Sequence, residues 1–245
     1  MSLGLGAGQI VGLIGANGAG KTTIFDVVSG FIRPDDGRVR LMGRDVTALT
    51  PDGRARLGLG RSFQASRLFP SLTVSETIAV ALERHVEHRS AVAAMIAAPP
   101  LRADEERLAA RVAELIDSLN LGDYATSLIS ELSTGTRRVV DLACALAHEP
   151  VVLLLDEPSA GIAQREVEAL APLLLDVKER TGAALVVIEH DIGLARAVAD
   201  ELVALDRGEI IARGTPSDVL ADANVIARYL GSPGRRRRAA LPISR

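Results

Sequence analysis

The sequence predicts an α/β fold with a helical segment set into it, and three observations carry that prediction. Ile10 to Ile14, Val151 to Leu155 and Leu185 to Ile188 are short, mostly apolar runs with the length and continuity of strands buried on both faces. Between them lie stretches whose apolar residues recur at helical spacing. A glycine-rich turn, Gly15 to Thr22, joins the first of these strands directly to the first helix.

That turn reads Gly-Ala-Asn-Gly-Ala-Gly-Lys-Thr and matches the phosphate-binding pattern G-x-x-x-x-G-K-[ST]. Gly15, Gly18 and Gly20 let the backbone fold without Cβ clashes, so that successive N–H groups can point inward at phosphate oxygens. The helix that follows, Lys21 to Phe31, adds its positive end. Lys21 can then bridge the β- and γ-phosphates, and Thr22 can place its hydroxyl on Mg²⁺. Pro34 to Gly37 makes a turn, and Arg38 to Met42 alternates like a half-exposed strand. Leu57 to Phe63 reads as a further strand ending at Gln64, from which an amide can reach an active-site Mg²⁺ or water. Taken alone, Gln64 has the character of an ordinary surface residue.

Residues 72 to 131 read as mostly helical. Thr73-Val-Ser-Glu76 is a capping box that opens a helix with Val74, Ile78, Ala81 and Leu82 on one side. A second amphipathic helix follows the Pro99-Pro100 break, with Leu108, Val112, Leu115, Ile116 and Leu119 at helical spacing. His85 and His88 stand at i, i+3, but Glu83 and Glu87 interleave and no third ligand is near, so they read as a solvated face and not as a metal site.

In Glu131 to Arg138, Ser133 is a natural N-cap and Gly135 would keep backbone N–H groups accessible, so this helix start could serve as a second anion site, although in isolation the motif has the character of an ordinary capped helix. Two phosphate cradles have a use in one chain if two copies face each other, each nucleotide being held by the loop of one and the helix end of the other. Val151 to Leu155 stops at Asp156-Glu157-Pro158. Adjacent carboxylates at the end of a buried strand cost several kcal/mol each when unpaired, so they need a cation. Mg²⁺ at the phosphate loop can satisfy that need through Asp156, leaving Glu157 free to take a proton from an attacking water, and a structural salt-bridged pair is the alternative. Leu185 to Ile188 ends in Glu189-His190-Asp191, which puts His190 in reach of a γ-phosphate. Arg207-Gly208 is a hairpin turn between Leu202 to Leu205 and Glu209 to Ala212, and Thr215-Pro216 starts a short helix. From Ser232 on, with Arg235 to Arg238, the chain reads as a solvated, disordered basic tail.

Composition sets the class. The chain has 245 residues, 48% of them hydrophobic, enough for one sizeable core or one core plus a subdomain. A net charge of −3, no Trp, four Phe and two Tyr give neither the field nor the stacking platforms for nucleic acid. Cys144 is the single cysteine, which excludes an intrachain disulfide and suits a small core residue. Residues 1 to 20 are apolar and uncharged but lack a basic n-region, and their apolar stretch is the strand feeding the loop. Ala91 to Leu101, the longest candidate for a membrane span, is broken by Pro99 and Pro100, so any membrane role is peripheral.

Taken in order, these motifs resemble those of the nucleotide-binding domain of ABC transporters over nearly the whole chain. Gly15 to Thr22 is the phosphate loop and Gln64 the Q-loop glutamine. Leu132 to Thr136 is the signature, Asp156 and Glu157 are Walker B, Ser159 to Ile162 the D-loop, and His190 the H-loop. Arg61 to Glu76 and the ending Ile226 to Gly231 are similar to the ATPases of branched-chain amino-acid importers. The resemblance implies a P-loop NTPase (RecA-like) core over residues 1–230 with a helical signature subdomain at about 70–155. ATP is then held by Gly15, Asn17, Gly18, Gly20, Lys21, Thr22, Thr23, Ser133 and Gly135, and Mg²⁺ by Thr22, Gln64 and Asp156. Glu157, His190 and Gln64 are catalytic. The implied partners are a second ABC ATPase subunit, membrane permease subunits and a substrate-binding protein, with the domain peripheral on the cytoplasmic face of the membrane.

Three positions depart from the family pattern. Thr134 and Thr136 replace the usual glycine and glutamine of the signature, and Ile162 replaces the D-loop aspartate. Family members normally begin with antiparallel strands that carry an aromatic residue for stacking on adenine. Only eight residues precede Gln9 and none is aromatic, so those strands are expected to be missing and nucleotide affinity to be weaker. Two other function classes share the motifs: a soluble non-transport ABC ATPase, expected to carry a coiled-coil insertion or a second cassette, and a nucleotide-binding module that no longer hydrolyses. Export of another solute is a further alternative within transport.

Overall fold

In the computed structural model, residues 1–62, 68–83 and 99–230 are described, the side chains of 99–104 and 230 excepted. In chain order they form β1 (Ile10–Gly15), α1 (Lys21–Ser29), the short strands β2 (Arg40–Leu41) and β3 (Arg44–Asp45), α2 (Pro51–Ala55), β4 (Leu59–Arg61) and α3 (Val74–Leu82). There follow α4 (Pro99–Ser118), α5 (Thr134–Leu146), β5 (Val152–Asp156), α6 (Gln164–Thr181), β6 (Ala184–Ile188), α7 (Ile192–Val198), β7 (Glu201–Asp206) and β8 (Glu209–Gly214). Two short helices, α8 (Pro216–Ala221) and α9 (Ala223–Val225), and a π turn at Ile226–Leu230 close the described chain.

The main sheet has the strand order β4-β5-β6-β1-β7-β8, parallel except for the antiparallel β7–β8 hairpin. Because side chains alternate across a strand, each central strand feeds two cores. Leu153 and Leu155 of β5 and Leu185 and Val187 of β6 pack with α3, α4, α5 and α6 on one face. Leu154, Val186 and Ile188 pack on the other face with Phe25 of α1 and Leu41 and Val46 of the small hairpin. Strands buried on both faces are what a continuous apolar run predicts.

Local signals act as read. Thr73 and Glu76 form the reciprocal capping box of α3, and Ser133 and Thr215 cap α5 and α8 by accepting from Thr136 N and Asp218 N. Arg207 and Gly208 both have positive φ, 50° and 83°, as a two-residue hairpin turn requires. Elsewhere the boundaries shift. The strand expected over Arg38 to Met42 shortens to Arg40–Leu41, because Met42 and Gly43 turn the chain back at φ 49° and 77°. The strand expected from Leu57 starts at Leu59, since Gly58 sits at φ 90° in a turn. It is described to Arg61, and Phe63 and Gln64 lie outside the described residues. The helix α4 includes Pro99 and Pro100 in its first turn, where a missing N–H costs nothing, instead of starting after them.

His85, His88 and the basic tail lie outside the described residues. Among the described residues there is no group of three His, Cys, Asp or Glu able to hold a metal, and no helix long and apolar enough to cross a membrane. No strand precedes β1 among them. Residues 1–9 end in a turn in which Gly8 N donates to Gly182 O at 2.9 Å. One buried group escaped the sequence reading. The Arg54 guanidinium, 1% exposed, donates to Val27 O at 2.6 Å, Val28 O at 2.7 Å, Thr47 O at 2.9 Å and Leu49 O at 3.2 Å. It thereby ties the C-terminal end of α1 to the segment after β3, where the helix dipole favours a cation.

Candidate active site

The carboxyl ends of β5, β6 and β1 lie side by side, and this edge is where an α/β sheet presents ligands. The loop from β1 to α1 opens there. Gly15 has φ +153°, and a Cβ on it would lie 2.3 Å from Leu205 O, so only glycine fits between the loop and β7. Gly18 and Gly20 have φ +79° and +100°, Gly20 being the N-cap of α1. From the hairpin turn, Gly208 N donates to Ala19 O at 2.9 Å and pins the loop from outside.

Asn17, Gly18, Gly20, Lys21, Thr22 and Thr23 line a cleft of about 570 Å³ together with Glu157 and His190. Lys21, 6% exposed, donates from Nζ to Gly15 O at 2.7 Å and Ala16 O at 3.1 Å. Burial holds its pKa below the usual lysine value, against the opposing pull of Glu157 and Asp156. A phosphate group entering the cleft would give this ammonium the anionic partner that two carbonyl oxygens replace here.

The parallel register pairs Asp156 with Ile188, so Glu157 and Glu189 leave their strands at the same level. Glu157 adopts a left-handed φ of 50°, unusual for a side chain with a Cβ, and its N donates to Ile188 O at 2.9 Å. Its Oε1 lies 2.9 Å from His190 Nε2. On the other side of the ring, His190 Nδ1 is 3.5 Å from the Tyr229 hydroxyl, brought in by the π turn. Tyr229 has its pKa raised by burial and then by Glu189 and Glu157.

Asp156 is buried, and burial raises its pKa while Arg61 works in the opposite direction. Arg61 lies 3.8 Å from Asp156 Oδ2 and 2.7 Å from Asp26 Oδ1, and it sits over the rings of Phe25 and Phe31. Asp156 Oδ1 has no hydrogen-bond partner among the described residues. A buried carboxylate oxygen without a donor fits a divalent cation, so the residues present suit Mg²⁺.

The structure therefore brings together the phosphate loop, Glu157 and His190, with Asp156 at the end of the neighbouring strand. Ser133 and Gly135 do not line this cleft. Ser133 Oγ donates instead to Glu166 Oε1 at 3.4 Å, and a Cβ on Gly135 would meet Glu166 Oε2 at 2.9 Å, so a carboxylate of the same chain lies at the start of α5. Gln64 lies outside the described residues. Ser62, the last described residue before it, donates from N to Leu154 O at 2.9 Å. Arg61, Glu189 and Tyr229 were not read as site residues. A charged residue directly after the apolar run Leu185 to Ile188 was the available signal for Glu189, whereas Tyr229 stands 39 residues from His190 and carries no local signal.

The ABC transporter family profile matches residues 1–160, which hold the phosphate loop, the signature and both Walker B carboxylates. The chain belongs to the ABC transporter family. It is one of that family's ATP-hydrolysing cassettes. It is 34% identical over 223 residues to the high-affinity branched-chain amino acid transport ATP-binding protein BraF of Pseudomonas aeruginosa, covering 91% of this chain and 87% of the relative. It is also 34% identical over 231 residues to the lipopolysaccharide export system ATP-binding protein LptB of Haemophilus influenzae, covering 94% and 89%. Among solved structures it resembles the ADP conformation of an ABC transporter cassette, with TM-score 0.78, 27% identity and coverage of 95% and 91%. A dimeric cassette in a post-hydrolysis state with ADP and Pi matches with TM-score 0.71 and 25% identity, covering 87% and 88%.

Proposed function

We propose that this cassette hydrolyses MgATP at the phosphate-loop cleft to drive a membrane permease that imports branched-chain or other hydrophobic amino acids. The observation that carries the hydrolytic part is the 2.9 Å contact between Glu157 and His190 at the mouth of the cleft. In this reading Gly15, Asn17, Gly18, Gly20, Lys21, Thr22 and Thr23 bind the phosphates. Thr22, Asp156 and Gln64 would hold Mg²⁺, which would supply charge neutralisation at the phosphates. Glu157 takes the proton of the attacking water, and His190 orients that carboxylate and then contacts the γ-phosphate.

Ser133 and Gly135 act on the nucleotide of a second copy. The reading is supported by their absence from the cleft of their own chain and by the dimeric relative with ADP and Pi. Glu166 then withdraws from the start of α5 when a phosphate arrives. The helices between about residues 70 and 155 form the subdomain that meets the permease, the core and this subdomain making one domain over residues 1–230. The cassette sits on the cytoplasmic face of the membrane through permease subunits, with a substrate-binding protein delivering the solute outside.

Amino-acid import is favoured by the relative from Pseudomonas aeruginosa, and solute export is the second reading, supported by the relative from Haemophilus influenzae, which is also 34% identical. The test is Mg²⁺-dependent ATP hydrolysis by the purified chain, followed by uptake of labelled leucine in vesicles with its permease. Hydrolysis without uptake, in vesicles that release another solute, rejects import and keeps the ATPase. No hydrolysis rejects the whole reading.

A further inference from the structure

We propose that Glu189 is a positioning residue for hydrolysis, its carboxylate clamping the Ser159 loop and the His190 backbone together so that His190 stays on Glu157. This role rests on the reading of the cleft as the hydrolytic site. Glu189 directly follows β6 and is 1% exposed. Its Oε1 accepts from Ser159 N at 2.9 Å, and its Oε2 accepts from Ser159 Oγ at 2.7 Å, His190 N at 3.0 Å and Asp191 N at 3.3 Å. One buried carboxylate thus takes four donors from the two loops that leave neighbouring parallel strands.

Those loops carry the two reacting side chains. Glu157 stands two residues before Ser159, and Ala160 N donates to Glu157 O at 3.0 Å, so fixing Ser159 fixes the turn that holds Glu157 at its left-handed φ of 50°. His190 follows Glu189 directly and is held through its own N–H. The contact of 2.9 Å between Glu157 and His190 is therefore accompanied by a second bridge of hydrogen bonds between the same two loops. Buried polar groups that are fully satisfied rigidify their surroundings, and catalytic groups held within a fraction of an ångström react faster. The same loop reaches the start of α5, where a Cβ on Gly161 would lie 3.6 Å from Thr134 Cγ2.

The four donors explain the residue type. A carboxylate accepts on both oxygens, whereas a glutamine of the same shape must aim its NH₂ at either the Ser159 or the His190 N–H. Glu189→Gln consequently breaks one arm of the clamp and leaves the volume unchanged.

The experiment uses the full chain and measures kcat and KM for MgATP, affinity for a fluorescent ADP analogue and thermal midpoint, in the parent, Glu189→Gln, Ser159→Ala and the double variant. The expected result for Glu189→Gln is a fall in kcat of about 10- to 100-fold with KM and ADP affinity within about threefold. Ser159→Ala should lower kcat by about threefold or more, and the double variant should be no slower than Glu189→Gln alone, because both act through one clamp. A folded Glu189→Gln with kcat within about twofold of the parent overturns the proposal. So does a loss of ADP affinity and of thermal midpoint in step with kcat, which marks a purely structural role. If Glu189→Gln does not fold, Ser159→Ala decides, and unchanged kcat there is equally fatal. No turnover in the parent rejects the hydrolytic reading and this role together, whereas parental turnover that Glu189→Gln leaves intact rejects this role alone.

Discussion

Replacing Asp141 with asparagine should stabilise the cassette at neutral pH. Asp141 lies on α5 beside Arg138, and both line a small gap of about 20 Å³ with Ser62, Leu155, Leu170 and Leu174. Burial pushes its pKa from an ordinary 3.8 up to about 6, only partly opposed by Arg138. The folded state therefore binds a proton more tightly than the unfolded chain, and this group's contribution is fully present below pH 3.8 and lost as pH rises through about 6. Each pKa unit corresponds to about 1.4 kcal/mol, so the full penalty above pH 6 is about 3 kcal/mol. Residual solvent contact screens part of it, which brings the expected gain to about 1–2 kcal/mol. Asparagine keeps the shape and cannot ionise. Urea unfolding of parent and Asp141→Asn should show this gain at pH 8 and a progressively smaller one toward pH 5. A thermal midpoint higher by roughly 2–8 °C at pH 8 is the corresponding calorimetric signal. A less stable Asp141→Asn at pH 8 would refute the reasoning, because it would mean that attraction to Arg138 outweighs burial.

Three further outcomes follow from the geometry. Glu157→Gln should lower turnover by about 10²- to 10⁴-fold while allowing an ATP-bound dimer to accumulate, seen as a doubling of mass with ATP; unchanged hydrolysis removes Glu157 from the role of base. Arg54→Met leaves four carbonyl oxygens without their donor and should cost about 3 kcal/mol or more in urea unfolding, with little effect on ATP affinity in the folded fraction. Gly15→Ala places a Cβ 2.3 Å from Leu205 O, so the protein should fail to accumulate in folded form or lose nucleotide binding, and an intact, ATP-binding variant would contradict the loop conformation.

The phosphate loop, the caps at Thr73, Ser133 and Thr215 and the hairpin turn at Arg207-Gly208 were legible because each is decided within a few residues, by φ preference, a side-chain oxygen or a missing Cβ. The pair Asp156-Glu157 stood out in the sequence because a buried apolar run ending in charge is costly wherever it packs. Boundaries were less secure. Met42, Gly43 and Gly58 turn the backbone inside stretches that read as strand, and Pro99 and Pro100 enter a helix that their residue type argued should begin after them.

By itself the sequence determined which segments could be buried strands, where phosphate could be cradled and which side chains had chemistry to offer. Only the tertiary structure decided that β5 and β6 run side by side in a register pairing Asp156 with Ile188, which puts His190 2.9 Å from Glu157 and gives Glu189 its four donors. It also decided that Arg54 would be sealed among carbonyls, and that Tyr229 would return to His190. The physical reason is range: caps and turns minimise energy within a few residues, whereas strand order and buried polar clamps depend on how distant apolar faces share one core.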